Sequence, residues 1–551
     1  MKKINKYLIC GVAAVAAASC ADLDTEFYTD YVTTDQKEST LQQNPERAIA
    51  AVTAVSSEFG SFFGQVYDEH FDYGYPSIMM GLDSQTDDYL AKIPYTSSHV
   101  YWFRFVAPNP NGVPTGMAWY HLYKQIKTAN ALLATIPADT ENNELKFYRA
   151  QGLGVRAFDY WVLAQLYQFN YVGNEQKPCV PIITDENELT AASEGAPRAT
   201  VDAVYTQILN DLNEAITLLD ESGITPERVM EIKPKRMMSL AAAYGMRARV
   251  YLTMGKYTEA ENDANSAITS FTGRPYSRAE VSVPSFNLSE DPSWMWAIIV
   301  SETDRPSTTG ICNWPSQQGS FNDGYANFGG WRWCSKKLYD AIPATDVRKG
   351  WFLDANYKSA NLSASQQAYL DSYVNEDASL NIYQTMSSNI MPYTQVKFGL
   401  YGGSLGKSPT YADVPLMRIE EMYMIVAECQ AMTNPTVGLQ TLANFVTAYR
   451  DADYEAPAVS SSAEAREEII KHRRIEFWGE GLAWFDVMRL NKGIDRTGCY
   501  AFDNANIKIE PNDPVLIYCI PQEEINANAQ ISASDNNPTG TRPTPIPQSI
   551  K

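Results

Sequence analysis

Apolar side chains recur along much of this chain at spacings of three and four, the period of a helix with one buried face. From Pro45 onward Ala48, Ala51, Val52 and Val55 fall on one face. The clearest run covers residues 237–253, where Leu240, Ala241, Tyr244, Ala248, Tyr251 and Leu252 form a stripe. After Met254-Gly255-Lys256 a second stripe follows, built from Tyr257, Ala260, Ala264, Ala267 and Ile268. Two helices joined by a short glycine turn, with small residues where they meet, make the unit of a tetratricopeptide-type repeat. Similar periodicity predicts helices over 145–167, 201–219, 416–431 and 465–490. The expected fold is mainly α, a tetratricopeptide-like helical scaffold with long irregular loops and short strands.

The pattern changes between residues 273 and 410, which hold many of the glycines, prolines, serines and tryptophans. Only short strand-like runs such as 295–300 and one helical run near 336–342 stand out there. Long irregular segments inside a compact protein usually carry function, so 273–410 is read as a loop-rich ligand-binding region between a helical region at 46–272 and a helical and irregular region at 411–551.

The N-terminus reads as a lipoprotein signal over residues 1–19. Lys2, Lys3 and Lys6 precede an apolar run over 7–18 that is too short to span a bilayer, and Ala17-Ala18-Ser19-Cys20 supplies small residues before a cysteine. Cys20 is the expected lipidation site, and 20–45, rich in Asp, Thr and Gln, a lipidated tether. Several acyl chains on one cysteine anchor stably where a single chain would not. No later run reaches the length of a membrane-spanning helix.

Composition narrows the partners. The 551 residues carry a formal charge of -21, and losing the signal lysines makes the mature chain more acidic. A nucleic-acid backbone would be repelled. Neutral sugars, cationic peptides and metal ions remain open. Of eight cysteines, six lie beyond the signal and the lipidation site, and none forms a C-x-x-C pair. Disulfides between Cys312 and Cys334 or Cys499 and Cys519 are permitted outside the cytoplasm, against the alternative of free buried thiols.

Several matches to chemical motifs fail in context. Gly402-Gly403-Ser404-Leu405-Gly406 fits a nucleophile elbow, but Pro409 and Pro415 prevent the helix that must follow. The same stretch, ending in Lys407-Ser408, lacks the first glycine of a phosphate loop, where Tyr401 stands. Gly152-Leu153-Gly154-Val155-Arg156-Ala157 matches a dinucleotide fingerprint without the hydrophobic strand before it, so its glycines are read as allowing close helix packing. Glu476 and Glu480 could pose as an acid/base pair, yet Arg473, Arg474, Asp486 and Arg489 beside them favour a structural salt-bridge network. Four histidines, none paired at metal spacing, support neither zinc nor general-base chemistry. No catalytic residue, metal site or cofactor is expected; a structural calcium near Asp291 has no spacing rule behind it.

Aromatics are abundant, with 11 Trp and 34 Tyr against a charged share of 20%. Trp314, Phe328, Trp331 and Trp333 lie among Gly, Ser, Asn and Gln, and Tyr73, Tyr75, Trp102 and Phe103 sit in an earlier loop. Flat rings exposed in loops offer apolar area to the C–H faces of sugars, so Tyr73, Tyr75, Trp102, Trp314, Phe328, Trp331 and Trp333 are the candidate glycan contacts. Trp294 and Trp296 flank a strand-like run and are read as structural.

Several segments together resemble the SusD/RagB family of surface glycan-binding lipoproteins. Trp119-Tyr120-His121-Leu122-Tyr123-Lys124-Gln125-Ile126 with Ala129-Asn130, then Arg149-Ala150 through Arg156-Ala157 and Val180-Pro181-Ile182, is similar to its early helices and the strand after them. Ala248-Arg249-Val250-Tyr251-Leu252 with Gly255 and Tyr257 fits a repeat helix pair. Arg418-Ile419-Glu420-Glu421, Arg474-Ile475-Glu476-Phe477 with Glu480-Gly481, and Ile520-Pro521-Gln522-Glu523-Glu524-Ile525-Asn526 resemble its C-terminal marks. One departure is Ala483, where the family usually has arginine. The resemblance implies a tetratricopeptide-like scaffold whose loops bind glycan, no catalysis, an outer-membrane location facing outward, and a SusC-type TonB-dependent barrel as partner. The rival readings are a peptide-binding protein on the same scaffold and, third, a glycosidase.

Overall fold

The computed structural model describes residues 40–61, 72–91, 100–103, 105, 109–304, 313–321, 324, 330–374, 390–400, 404–407, 412–499 and 505–547. The signal, Cys20, Cys312 and Phe328 lie outside the described residues.

Eleven helices carry the frame: α1 Ile49–Ser57, α2 Tyr75–Ser84, α3 Val113–Leu133, α4 Asn143–Tyr167, α5 Val201–Ser222, α6 Leu240–Thr253, α7 Tyr257–Ser270, α8 Ile419–Thr433, α9 Pro435–Tyr449, α10 Ser462–Glu476 and α11 Ala483–Arg489. Local chemistry sets their ends. Asn142 accepts hydrogen bonds from the backbone of Glu144 and Leu145 to start α4, and Thr200 caps α5, which stops at Gly223 in the left-handed conformation. Consecutive helices pack on one another: α3 on α4, α4 on α5, α5 on α6, α6 on α7, and α8 on α9 and α10. The α6/α7 pair joined through Gly255 is the repeat unit expected from the pattern.

The glycines of α4 serve packing. A Cβ on Gly152 would lie 3.1 Å from Leu133, and one on Gly154 would lie 2.4 Å from the Met238 sulfur. Both sit mid-helix, which disposes of the dinucleotide reading.

Helix α8 packs directly on α7 although some 150 residues separate them. The helical array is therefore continuous in space, and the loop-rich stretch is an excursion from it. Two strands close its base: β2, Trp294–Ile298, runs antiparallel to β4, Val414–Arg418, with Trp294 opposite Arg418 and Ile298 opposite Val414. Trp294 and Trp296 are wholly buried there. A second ribbon pairs β1, Tyr89–Ala91, with β3, Arg332–Cys334. A third, β5 Ile494–Asp495 with β6 Lys508–Ile509, is two residues long.

Two helix expectations need correction. The run at 416–431 begins as a strand and turns helical only at Ile419, because its first residues complete the ladder with β2. The run at 465–490 is broken after Glu476, where Gly479 and Gly481 take positive φ of 79° and 76° that a helix cannot contain. Ala483, at the start of α11, lines a cavity of about 150 Å3 with Asp87, Arg474 and Asp486. Cys179, Cys334, Cys429, Cys499 and Cys519 are buried free thiols, so neither expected disulfide forms. Among the described residues no helix is long and apolar enough to cross a membrane.

Candidate functional site

The β1/β3 ribbon brings together the two aromatic-bearing segments that lie far apart in sequence. Leu90 faces Trp333 and Ala91 faces Arg332 across the ladder. Helix α2 packs beneath: the Trp102 indole approaches so closely that a Cβ on Gly81 would lie 2.7 Å from it. A short helix, Trp314–Gln318, begins with the Asn313 side chain accepting from Ser316 N–H. Its glutamines knit the floor. The Tyr89 hydroxyl donates to Gln318, 229 positions away; Gln318 Nε2 donates to Gly479 O at 2.8 Å; Arg332 Nη2 donates to Gln317 Oε1 at 3.2 Å.

The expected sugar-stacking rings are in the wrong environment for that role. Tyr73 is 1% exposed, Tyr75 3%, Trp102 2%, Trp314 3%, Trp331 1% and Trp333 0%. Trp314 packs edge-on against Phe398 at 4.8 Å between centroids. Trp331 does the same with Tyr373 at 5.3 Å, within a cluster of Phe321, Leu353, Leu370, Ile390 and Val396. The physical reason is direct. Gly, Ser and Asn around a tryptophan weaken helix and strand, but they say nothing of where the indole goes, and burying so large a ring is strongly favoured. These rings are part of the buried core.

Half-buried tyrosines pack beside Trp331. Tyr369 and Tyr373 lie four apart at the end of the short helix Ala364–Asp371, their hydroxyls 3.3 Å apart, with Tyr357 at the same cluster. The sequence signal was present as a tyrosine pair at helical spacing, but the stretch was read as loop.

Glu476 and Glu480 are not free acids. Glu476 Oε2 accepts from Arg450 Nε at 2.8 Å and Arg348 Nη1 at 3.3 Å, and Oε1 from Arg450 Nη2 at 2.8 Å and Arg418 Nη1 at 3.2 Å. Glu480 accepts from Arg418 at 2.8 Å twice and from Lys397 at 2.5 Å. Burial works to raise the Glu476 pKa, but Arg450, Arg418 and Arg348 outweigh it and hold the carboxyl well below its ordinary value. Lys397 is pushed down to about 8 by burial against the pull of Glu480. Both carboxylates are ionised, saturated and shut from solvent, so neither has a proton to give a substrate. The neighbouring arginines pair elsewhere: Arg473 with Asp486, Arg489 with Glu428 and Arg474 with Asp88.

His472 touches Arg348 at 2.9 Å and burial lowers its pKa; burial drives His121 down to about 3. Residues 404–407 form a turn with Gly406 in the left-handed region and, among the described residues, none of Ser404 to Lys407 is helical. Near Asp291, whose pKa burial raises to about 6, no metal-holding group gathers; among the described residues no cluster of three His, Cys, Asp or Glu exists anywhere.

The scaffold and its loop excursion have close counterparts. Residues 77–252 match a SusD-like family model described as starch-binding associating with outer membrane, and residues 284–539 match the SusD family model. The chain belongs to the SusD/RagB family, whose proteins bind carbohydrate in association with the outer membrane. It is 23% identical over 419 residues to SusD-like protein P2 of Formosa agariphila, covering 72% of this chain and 75% of that one. A SusD-like carbohydrate-binding protein of Bacteroides vulgatus superposes with a TM-score of 0.69 at 20% identity, over 89% of this chain and 97% of its own. A laminarin-binding SusD-like protein superposes with a TM-score of 0.61 at 19% identity, over 89% and 98%.

Proposed function

We propose that this protein is a surface-exposed, non-enzymatic lipoprotein that binds oligo- or polysaccharide and delivers it to a SusC-type TonB-dependent transporter. The observation that carries the reading is the floor made by α2 and the β1/β3 ribbon. It gathers two aromatic-rich segments of a carbohydrate-binding family into one face, with Tyr357, Tyr369 and Tyr373 half exposed beside it. Rings in that setting can present apolar faces to sugars while neighbouring amides take hydroxyl hydrogen bonds. The salt-bridged state of Glu476 and Glu480 supports capture without cleavage.

Calorimetric titration against a panel of soluble polysaccharides, with a reducing-end assay on the same mixtures, tests capture and catalysis together. Binding with no new reducing ends is expected; cleavage of any glycan overturns the non-enzymatic reading. Lipid anchoring is tested by Cys20→Ala, which should move the protein from the membrane to the soluble fraction. Delivery is tested by co-purification of a TonB-dependent barrel with the tagged chain from outer membranes.

A further inference from the structure

A groove of about 620 Å3 lies between the end of α4 and the C-terminal run 530–538. Its volume is in the range that encloses small organic ligands. One wall carries Phe169 and Lys177, the other Gln530 and Asn536, with Arg198 at the seam.

The walls are fixed before any ligand arrives. Arg198 Nε donates to Cys179 O at 2.7 Å, and Nη2 donates to Pro178 O at 2.8 Å and Asn537 Oδ1 at 2.9 Å, while Nη1 reaches Asp535 O. Asn537 Nδ2 in turn holds the carbonyls of Tyr167 and Tyr518, each at 2.7 Å. Asn536 makes a two-way bond with the backbone of Ile520 at 2.7 and 2.9 Å. Such pre-ordering lowers the entropy cost of capture.

The charge of the groove departs from that of the chain. The whole sequence is at -21, yet two cations line this groove. Arg198 is held by neutral oxygens alone, with no carboxylate in ion-pair contact among the described residues, and one of its five N–H groups stays unengaged there. Burial lowers its pKa and outweighs the pull of the Asp535 charge. The Lys177 ammonium is exposed and lies 6.0 Å from the centroid of the half-buried Phe169 ring. The one lining carboxylate, Asp535, is occupied by the N–H and hydroxyl of Ser532 at 2.9 and 2.7 Å.

We infer that this groove is a second carbohydrate site, and that it takes a short oligosaccharide carrying a carboxylate, a uronic-acid segment. Phe169 meets a sugar C–H face, Gln530 the hydroxyls, and Lys177 with the spare Arg198 N–H the carboxylate.

Trigalacturonate and neutral maltotriose are the probes, titrated calorimetrically into the full chain at low salt. Trigalacturonate should bind, weaken as salt screens the charges, and lose about tenfold affinity in Phe169→Ala and in Lys177→Gln, the latter melting as wild type. Tyr369→Ala, outside the groove lining, should leave this binding unchanged. The inference is overturned by no trigalacturonate binding, by equal binding of maltotriose, by indifference to both groove variants, or by loss in Tyr369→Ala, which would assign the sugar to the main face.

Discussion

Replacing Glu476 with glutamine separates structural ion network from catalytic acid more sharply than any other change. The side chain is completely buried, and both its oxygens accept from guanidinium groups, Oε1 from Arg450 and Arg418, Oε2 from Arg450 and Arg348. Whichever way the amide is turned, its NH2 faces two N–H donors and one negative charge is lost among three buried arginines. Breaking a buried pair in this manner costs about 3–5 kcal/mol. Unfolding entropy near 2.1 cal/mol/K per residue gives about 1 kcal/mol/K for roughly 500 ordered residues melting as one unit, hence a fall in Tm of about 3–5 °C. Because the folded Glu476 pKa lies well below its unfolded value of 4.5, the stabilisation is complete above that value and is lost as pH falls through the folded one. Thermal melts of the two proteins should therefore differ by a constant gap from neutral pH down to the ordinary carboxylate range and converge only in stronger acid. Glycan titration should give unchanged affinity per folded molecule. A variant that melts within about 1 °C of wild type, or that loses a hydrolytic activity present in wild type, refutes the network account.

Trp331→Ala should cost about 3–5 kcal/mol through a cavity in the cluster around Leu353 and Ile390, read as a lowered melting temperature; unchanged stability with lost glycan affinity would restore it as a stacking platform. Gly438→Val should destabilise by about 3 kcal/mol or prevent folding, since even a Cβ there would lie 2.4 Å from Ala431 N and 2.5 Å from Ala427 O across the α8/α9 contact; soluble wild-type-like melts would refute that close approach. Asp83, raised to about 7 by burial, has one oxygen on Gly481 N–H at 2.8 Å and one without a partner. A carboxyl whose folded pKa exceeds its unfolded 3.8 costs stability increasingly as pH rises between the two values. Asp83→Asn should thus gain stability on wild type between about pH 4 and 7 and hold that gain above; a pH-independent difference in melting temperature would contradict it.

The apolar period by itself determined the helical array, because a helix that must bury one face writes that face into the chain every three or four residues. Met237 to Ile268 announces a helix pair whatever surrounds it. The sequence also favoured packing for Gly152 and Gly154 and a salt-bridge network for Glu476, but the partners came from elsewhere in the chain. Leu133 and Met238 close on the glycines. Arg348, Arg418 and Arg450 hold Glu476, while the nearby Arg473, Arg474 and Arg489 pair with Asp486, Asp88 and Glu428. Tertiary structure alone decided three other things. It made 416–418 a strand, because β2 offered a ladder that no local pattern in Leu416-Met417-Arg418 records. It brought α8 onto α7 across the whole excursion. And it sent Trp102, Trp314, Trp331 and Trp333 inward while leaving Tyr369 and Tyr373 half exposed. Whether a loop aromatic is floor or platform depends on what arrives from elsewhere in the chain to cover it, here β1 against β3 and Gly81 against Trp102. That long-range partnership leaves no period in the sequence.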